Sequence, residues 1–303
     1  MAVNLPDICA LKPISGIELG AAEANIRYKG RPDVAVMTCG PGSVAGGVFT
    51  QNSYRAAPVL IAERHCGAIR GLVVNSGNAN AATGDIGMRD AEAMCSLLAQ
   101  HIGCGAEEIL PFSTGVIGEP LPMDRMAVGI NDAFVACRPD GWNATAEAIM
   151  TTDTAAKGVS VSFDVDGHEI SATGIVKGSG MIRPDMATML AFLGTDASMS
   201  HDVAKRLAWD LAERSFNRLT IDGDTSTNDS FVVVGTGRST LPRITDIGSR
   251  AYTQLREGLL PLVQELAIRT VRDGEGATKF VTVCVEGGRT EHECLEVAYT
   301  VAH

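Results

Sequence analysis

The sequence contains no apolar run of membrane-spanning length, and its N-terminus, MAVNLPDICA, lacks the positive start and long apolar centre of a signal peptide. A cytoplasmic protein with no membrane partner is expected. Basic clusters are missing too. Among 303 residues, 36 acidic against 25 basic side chains give a formal charge of −11. That is the wrong sign for a face that neutralises phosphates, so no nucleic-acid partner is expected. The eight cysteines form no C-x-x-C pair and have no histidine at ligand spacing. Reduced, partly buried thiols are therefore expected, and no metal. Glu291-His292-Glu293-Cys294 is the nearest approach to a ligand cluster, and a short mixed run of this kind reads as solvated surface.

What is present is the balance of a globular protein, 45% hydrophobic and 20% charged, at a length that suits one large domain or two. Residues 35–37 and 46–50 read as short apolar strands, and 49–53 as a polar loop. Residues 71–74 form a buried strand that runs into NSGNANAATG (75–84). Asn and Gly supply positive backbone angles and exposed amides there, so the segment either turns or cradles an anion or carbonyl. It is not G-x-G-x-x-G and no Walker-type lysine accompanies it, which argues against nucleotide phosphates. The spacing predicts a packed helix over 90–101. Pro111, Gly115 and Gly118 mark 110–118 as a turn. Within it, Thr114-Gly115 sets a hydroxyl beside an unencumbered amide, either an oxyanion-holding pair or a simple cap. Helices are expected at 123–137 and at 143–150, the second capped by Asn143, before the hydrogen-bonding run 151–154.

Residues 159–165 and 169–176 alternate around Asp166-Gly167, a hairpin. The chain then enters KGSGMIRPDMATMLAFL (177–193). Gly178, Gly180 and Pro184 give it loop chemistry, and 189–193 has the length of a buried strand. Thr188 stands between them, preceded by a residue as small as Ala187. A bulky neighbour would block attack on the adjoining carbonyl, so Thr188 is a candidate nucleophile if a base lies nearby. It is equally a β-branched residue opening a strand. Beyond it come a helix over 202–216, the turn DGDTSTND (222–229), a strand at 231–234 and a long helix over 246–271. DGEGATK (273–279), an alternating strand at 280–285 and a last short apolar segment complete the chain.

Six segments in order carry a resemblance: NSGNANAATG (75–84), STGVIG (113–118), MTTDT (150–154), KGSGMIRPDMATML (177–190), DGDTSTND (222–229) and DGEGATKF (273–280). Together they resemble the glutamate N-acetyltransferase family, also called ornithine acetyltransferase. The resemblance implies an α/β protein of layered α/β/β/α, N-terminal-nucleophile-like architecture with a second, smaller α/β region. It implies self-cleavage between Ala187 and Thr188 into an α chain, 1–187, and a β chain, 188–303. Thr188 is then the nucleophile, and its freed α-amine, with a pKa of roughly 7.7 to 8.0 in model peptides, is the base for its own hydroxyl. Thr114 and Gly115 match the family's oxyanion hole, and Thr151, Lys177, Thr188 and Glu275 its substrate contacts.

The implied reaction moves acetyl from N2-acetylornithine to glutamate in arginine biosynthesis, with no resident cofactor. Acetyl-CoA serves some family members as an additional donor, and no signature here decides that. The implied assembly is a heterotetramer of two α and two β chains. Family members ordinarily continue past the position of His303 into a segment that completes the second region and the substrate pocket. Two other readings stay open: a self-processing amidase or aminopeptidase of related architecture, and an inactive, shortened homologue.

Overall fold

The computed structural model describes residues 2–183 and 189–303. In chain order these form β1 (Ile17–Ala22), β2 (Val34–Cys39), β3 (Val44–Phe49), α1 (Ala57–His65), β4 (Gly71–Asn78), α2 (Gly84–Ile102), β5 (Ile109–Val116), α3 (Met123–Val135) and α4 (Trp142–Ala148). There follow β6 (Lys157–Val165), β7 (His168–Lys177), β8 (Leu190–Thr195), α5 (His201–Glu213), β9 (Ser230–Gly235), α6 (Arg250–Arg272) and α7 (Glu291–Ala302). The strands make two sheets, ordered β1-β2-β4-β5 and β3-β9-β8-β7-β6. Each sheet has one parallel pair, β4 with β5 and β8 with β9, and is otherwise antiparallel.

Most central strands are buried on both faces, and their period-two alternation divides the side chains between different cores. Ala35, Met37, Leu72 and Val74 of the first sheet meet Leu190, Phe192, Val232 and Val234 of the second in a central core. Phe112 and Phe192 pack edge to face across it, centroids 5.0 Å apart. The intervening Val34, Val36 and Val73 face Ile61, Met94, Leu98 and Ile130 of α1, α2 and α3. On the far side, Ala191, Leu193, Phe231 and Val233 face Leu207, Leu211, Leu259 and Leu262 of α5 and α6. The molecule is thus a helix–sheet–sheet–helix stack, the layering that the family resemblance implies. In the second sheet β8 lies between β7 and β9, so strands from before and after residue 188 share one ladder.

Three local expectations need correction. Residues 110–118 are not a turn but mostly β5, and Pro111 is accommodated because β5 is an edge strand, where a missing amide is tolerated. The N-cap of α4 is Gly141, and no side chain caps it. Asn143 instead accepts the Leu11 amide at 3.1 Å and donates to the Cys9 carbonyl at 3.2 Å, fastening the N-terminal segment. Residues 280–285 form no strand. Their alternation finds no neighbouring edge among the described residues, and Val281 stays exposed. The last apolar segment is the helix α7, capped by the Thr290 hydroxyl and without a buried residue.

Candidate active site

The parallel pair β4 and β5 runs in register, Asn75 beside Ser113, Ser76 beside Thr114 and Gly77 beside Gly115. Both strands therefore turn polar at the same end. The Ser113 hydroxyl donates to Asn75 Oδ1 at 2.6 Å, and Asn75 Nδ2 donates to the Asn78 carbonyl at 2.8 Å. From the turn before β9, Asn228 Nδ2 reaches the carbonyls of Ala79 at 2.6 Å and Ser113 at 2.9 Å. These side-chain amides satisfy the carbonyls of a chain leaving its ladder. Gly115 must be glycine: its φ is +134°, and an added Cβ would lie 2.3 Å from the Gly77 carbonyl carbon. Thr114 is buried, and Gly115 beside it is exposed.

Lys177, the last residue of β7, is 3% exposed, yet its ammonium meets two hydroxyls. Nζ donates to Thr114 Oγ1 at 3.0 Å and to Thr151 Oγ1 at 2.9 Å. Thr151 follows α4, which the Ser76 hydroxyl anchors by donating to the Ala148 carbonyl at 2.8 Å. Each threonine gives a lone pair to the ammonium, so its own hydrogen remains for another acceptor. Burial depresses the Lys177 pKa and Lys157 adds to the effect, against the opposing charges of Asp153, Asp229 and Glu275. Glu275 is exposed, and its amide donates to the Ser179 carbonyl at 2.6 Å, two residues past Lys177. A Cβ added at Gly180 would sit 2.9 Å from its carboxyl group.

Thr114, Thr151 and Lys177 thus meet directly, and Glu275 joins them through residues 179–180. Ala187 and Thr188 lie outside the described residues. Met189, which follows Thr188, donates its amide to Asp229 Oδ1 at 2.9 Å. Asp229 is wholly buried, and its Oδ2 has no hydrogen-bond partner among the described residues. Burial raises its pKa well above the ordinary carboxylate range, although the Met189 amide and the Lys177 charge pull the other way.

Asp229 was not singled out from the sequence, nor were Asp153, Lys157 and Asp273. Three of them fall inside the motifs MTTDT, DGDTSTND and DGEGATKF, which is the one signal that marked them. Lys157 belongs to no motif, yet its ammonium is fully buried between Asp153 and Asp273. Burial alone would raise the Asp153 carboxyl, but Lys177 and Lys157 outweigh it and hold the pKa at about 2.

A family model described as the ArgJ family matches residues 18–303. The arginine biosynthesis bifunctional protein ArgJ of Pseudomonas fluorescens (strain Pf0-1) is 49% identical over 304 residues, covering 100% of this chain and 75% of that protein. Among solved structures, the ornithine acetyltransferase of Mycobacterium tuberculosis, complexed with ornithine, matches with a TM-score of 0.51. Its identity is 31%, over 60% of this chain and 98% of that one. An l-aminopeptidase d-ala-esterase/amidase from Ochrobactrum anthropi, a variant of the Ntn hydrolase fold, matches with a TM-score of 0.50 at 14% identity. It covers 98% of this chain and 97% of that one, and at such identity it shows the fold alone. By the family match and the near-half identity over its whole length, the chain belongs to the ArgJ family.

Proposed function

We propose that the chain transfers the acetyl group of N2-acetylornithine to glutamate in arginine biosynthesis, through an acetyl ester on Thr188. The enzyme first cuts itself. Thr188 Oγ attacks the Ala187 carbonyl, the peptide C–N bond breaks as the acyl group shifts to oxygen, and the hydroxyl proton passes to the released amine. Water then hydrolyses the ester, leaving an Ala187 carboxylate and a free Thr188 with both amine and hydroxyl. The amine takes the hydroxyl proton in the next attack, the pairing used by N-terminal threonine nucleophiles.

In the first half-reaction Thr188 Oγ adds to the acetyl carbonyl, the C–N bond breaks and ornithine leaves with the proton. In the second, the glutamate amine attacks the ester, and N-acetylglutamate departs as Thr188 regains its hydrogen. Each step passes through a tetrahedral oxyanion, which the Thr114 hydroxyl and the Gly115 amide would receive. Lys177 would hold the α-carboxylate of the amino acid, and Glu275 an α-amino or side-chain ammonium group. No cofactor is required, and the working form is a cytoplasmic assembly of two α and two β chains.

The observation that carries this reading is the buried Lys177 ammonium donating to both Thr114 and Thr151. It orients the Thr114 hydroxyl as a free donor and adds positive charge where negative charge would develop. The test is denaturing electrophoresis together with formation of labelled N-acetylglutamate from N2-acetylornithine and labelled glutamate. Wild type is expected to give two fragments, 1–187 and 188–303, and labelled product. Thr188→Ala is expected to give one band and no product. A wild-type chain that stays whole and makes no acetylglutamate removes the reading.

A further inference from the structure

Among the described residues Lys157 touches none of the proposed substrate contacts, yet it fastens the backbone beneath three of them. At the start of β6 its Nζ donates to Asp153 Oδ1 at 2.7 Å, to Asp273 Oδ2 at 2.5 Å and to the Ala155 carbonyl at 3.2 Å. All three donor hydrogens of the ammonium are used. The two carboxylates in turn grip main chain. Asp153 accepts the Thr151 amide at 3.0 Å and the Gly178 amide, next to Lys177, at 2.7 Å. Asp273, two residues before Glu275, accepts the Thr154 amide at 3.1 Å and the Thr154 hydroxyl.

Three separate stretches of chain are joined here: the loop after α4, the end of β7 and the loop after α6. The β6–β7 ladder, with Lys157 opposite Val176, ties the first two, but among the described residues no ladder reaches the loop after α6. Charge is an expensive way to fill a core, since well-packed apolar residues usually serve stability as well or better. What three charges add is direction, because each carboxylate oxygen is committed to a particular amide or ammonium.

Resting on the acetyl-transfer reading, we propose that Lys157 is a positioning residue for the amino-acid site. By holding Asp153 and Asp273 together, it sets the spacing of Thr151, Lys177 and Glu275. That spacing is the distance between the cation and the anion that receive the two charged ends of an amino acid. Asp153 is well suited to the role, since its carboxyl stays ionised down to low pH.

The experiment compares wild type with the charge-free triple variant Lys157→Met/Asp153→Asn/Asp273→Asn, and with Thr154→Val, which removes one exposed-end contact to Asp273. Thermal unfolding first establishes that each variant is folded. Steady-state acetyl transfer then separates KM from kcat. The expected result for the triple variant is a rise of at least about tenfold in KM for N2-acetylornithine with a smaller change in kcat, the mark of lost alignment in binding. Thr154→Val is expected to raise KM about threefold. A folded triple variant with wild-type KM overturns the proposal. If the triple variant does not fold, an unchanged KM in Thr154→Val overturns it alone. Should wild type transfer no acetyl group, the acetyl-transfer reading fails by itself, and calorimetric binding of ornithine decides instead. Binding weakened about tenfold in the triple variant supports the positioning role, with Thr154→Val again standing in for an unfolded triple variant. Equal binding, or no binding by wild type, overturns it.

Discussion

Replacing Thr114 with valine separates what its hydroxyl does for the fold from what it does for the reaction. Valine keeps the shape of threonine, so no cavity opens at this buried position. Lys177, however, loses one of its two hydroxyl acceptors, the one at 3.0 Å, and keeps Thr151 at 2.9 Å. Losing a hydrogen bond to a buried charged group costs about 1.5 to 3 kcal/mol of stability. For a chain of this length that is a fall of several degrees in Tm. The same substitution at Thr151 removes the other acceptor and carries a similar stability cost. Of the two threonines, only Thr114 serves as an oxyanion donor in the proposed reaction. Its loss should raise the barrier by about 2.7 to 4 kcal/mol, or 10²–10³ in kcat.

The two variants should therefore melt alike and turn over differently. Thr114→Val is expected to lose most of its kcat with KM little changed. Thr151→Val is expected to lose affinity for N2-acetylornithine and to keep kcat within about tenfold. Initial rates of labelled acetylglutamate formation across a range of acetylornithine concentrations give both constants. Equal kcat values in the two variants would show that the hydroxyls matter only as partners of Lys177, and the oxyanion role of Thr114 would be withdrawn.

Gly115→Ala forces a Cβ to within 2.3 Å of the Gly77 carbonyl carbon at a φ of +134°. A loss of about 3 kcal/mol or more is expected in denaturant unfolding, and a variant as stable as wild type would contradict the close approach of β4 and β5. Asp153 has a folded pKa of about 2, below its unfolded value of about 3.9, so its contribution is complete above about pH 5 and lost as pH falls toward 2. The stability gap between wild type and Asp153→Asn, roughly 2 kcal/mol from this term, should close over that window in urea titrations. Asp229 has the opposite sign. Its folded pKa is raised, so stability is fully present below the unfolded value and falls as pH rises above about 4. Asp229→Asn should therefore gain Tm relative to wild type as pH increases from 4 to 7, and a constant difference would refute this.

The layering came from the family resemblance, whereas the separate elements were legible in local pattern. Apolar runs of strand length marked β4 and β8, alternation marked β6, and Asp166-Gly167 does take the paired positive φ values, 50° and 85°, of a tight hairpin. What sequence could not show was set by partners far along the chain. Pro111 looks like a turn until β5 is known to be an edge strand. Asn143 looks like a cap until its partners, more than 130 residues earlier, are seen. Lys157 shows nothing locally, since one of its two carboxylates lies 116 residues away. At the candidate site the motif order picked out Thr114, Thr151, Lys177 and Glu275, but the ammonium bridging two hydroxyls is a property of the fold.

The same topology decides what a cut at 187–188 leaves behind. Met189 is tied through both backbone groups, its amide to Asp229 Oδ1 and its carbonyl to the Ser230 amide at 3.0 Å. Leu190 then enters a ladder between β7 and β9, paired with Lys177 on one side and Ser230 on the other. A new N-terminus at Thr188 would stand one peptide unit, about 3.8 Å between Cα atoms, from a fixed anchor. The two pieces would also stay joined, because β8 sits inside a sheet that includes β3, β6 and β7 and because the Lys157–Asp273 contact crosses the cut. Cleavage without separation requires this kind of interlacing, and native gel filtration of the cleaved protein should recover both fragments in one peak.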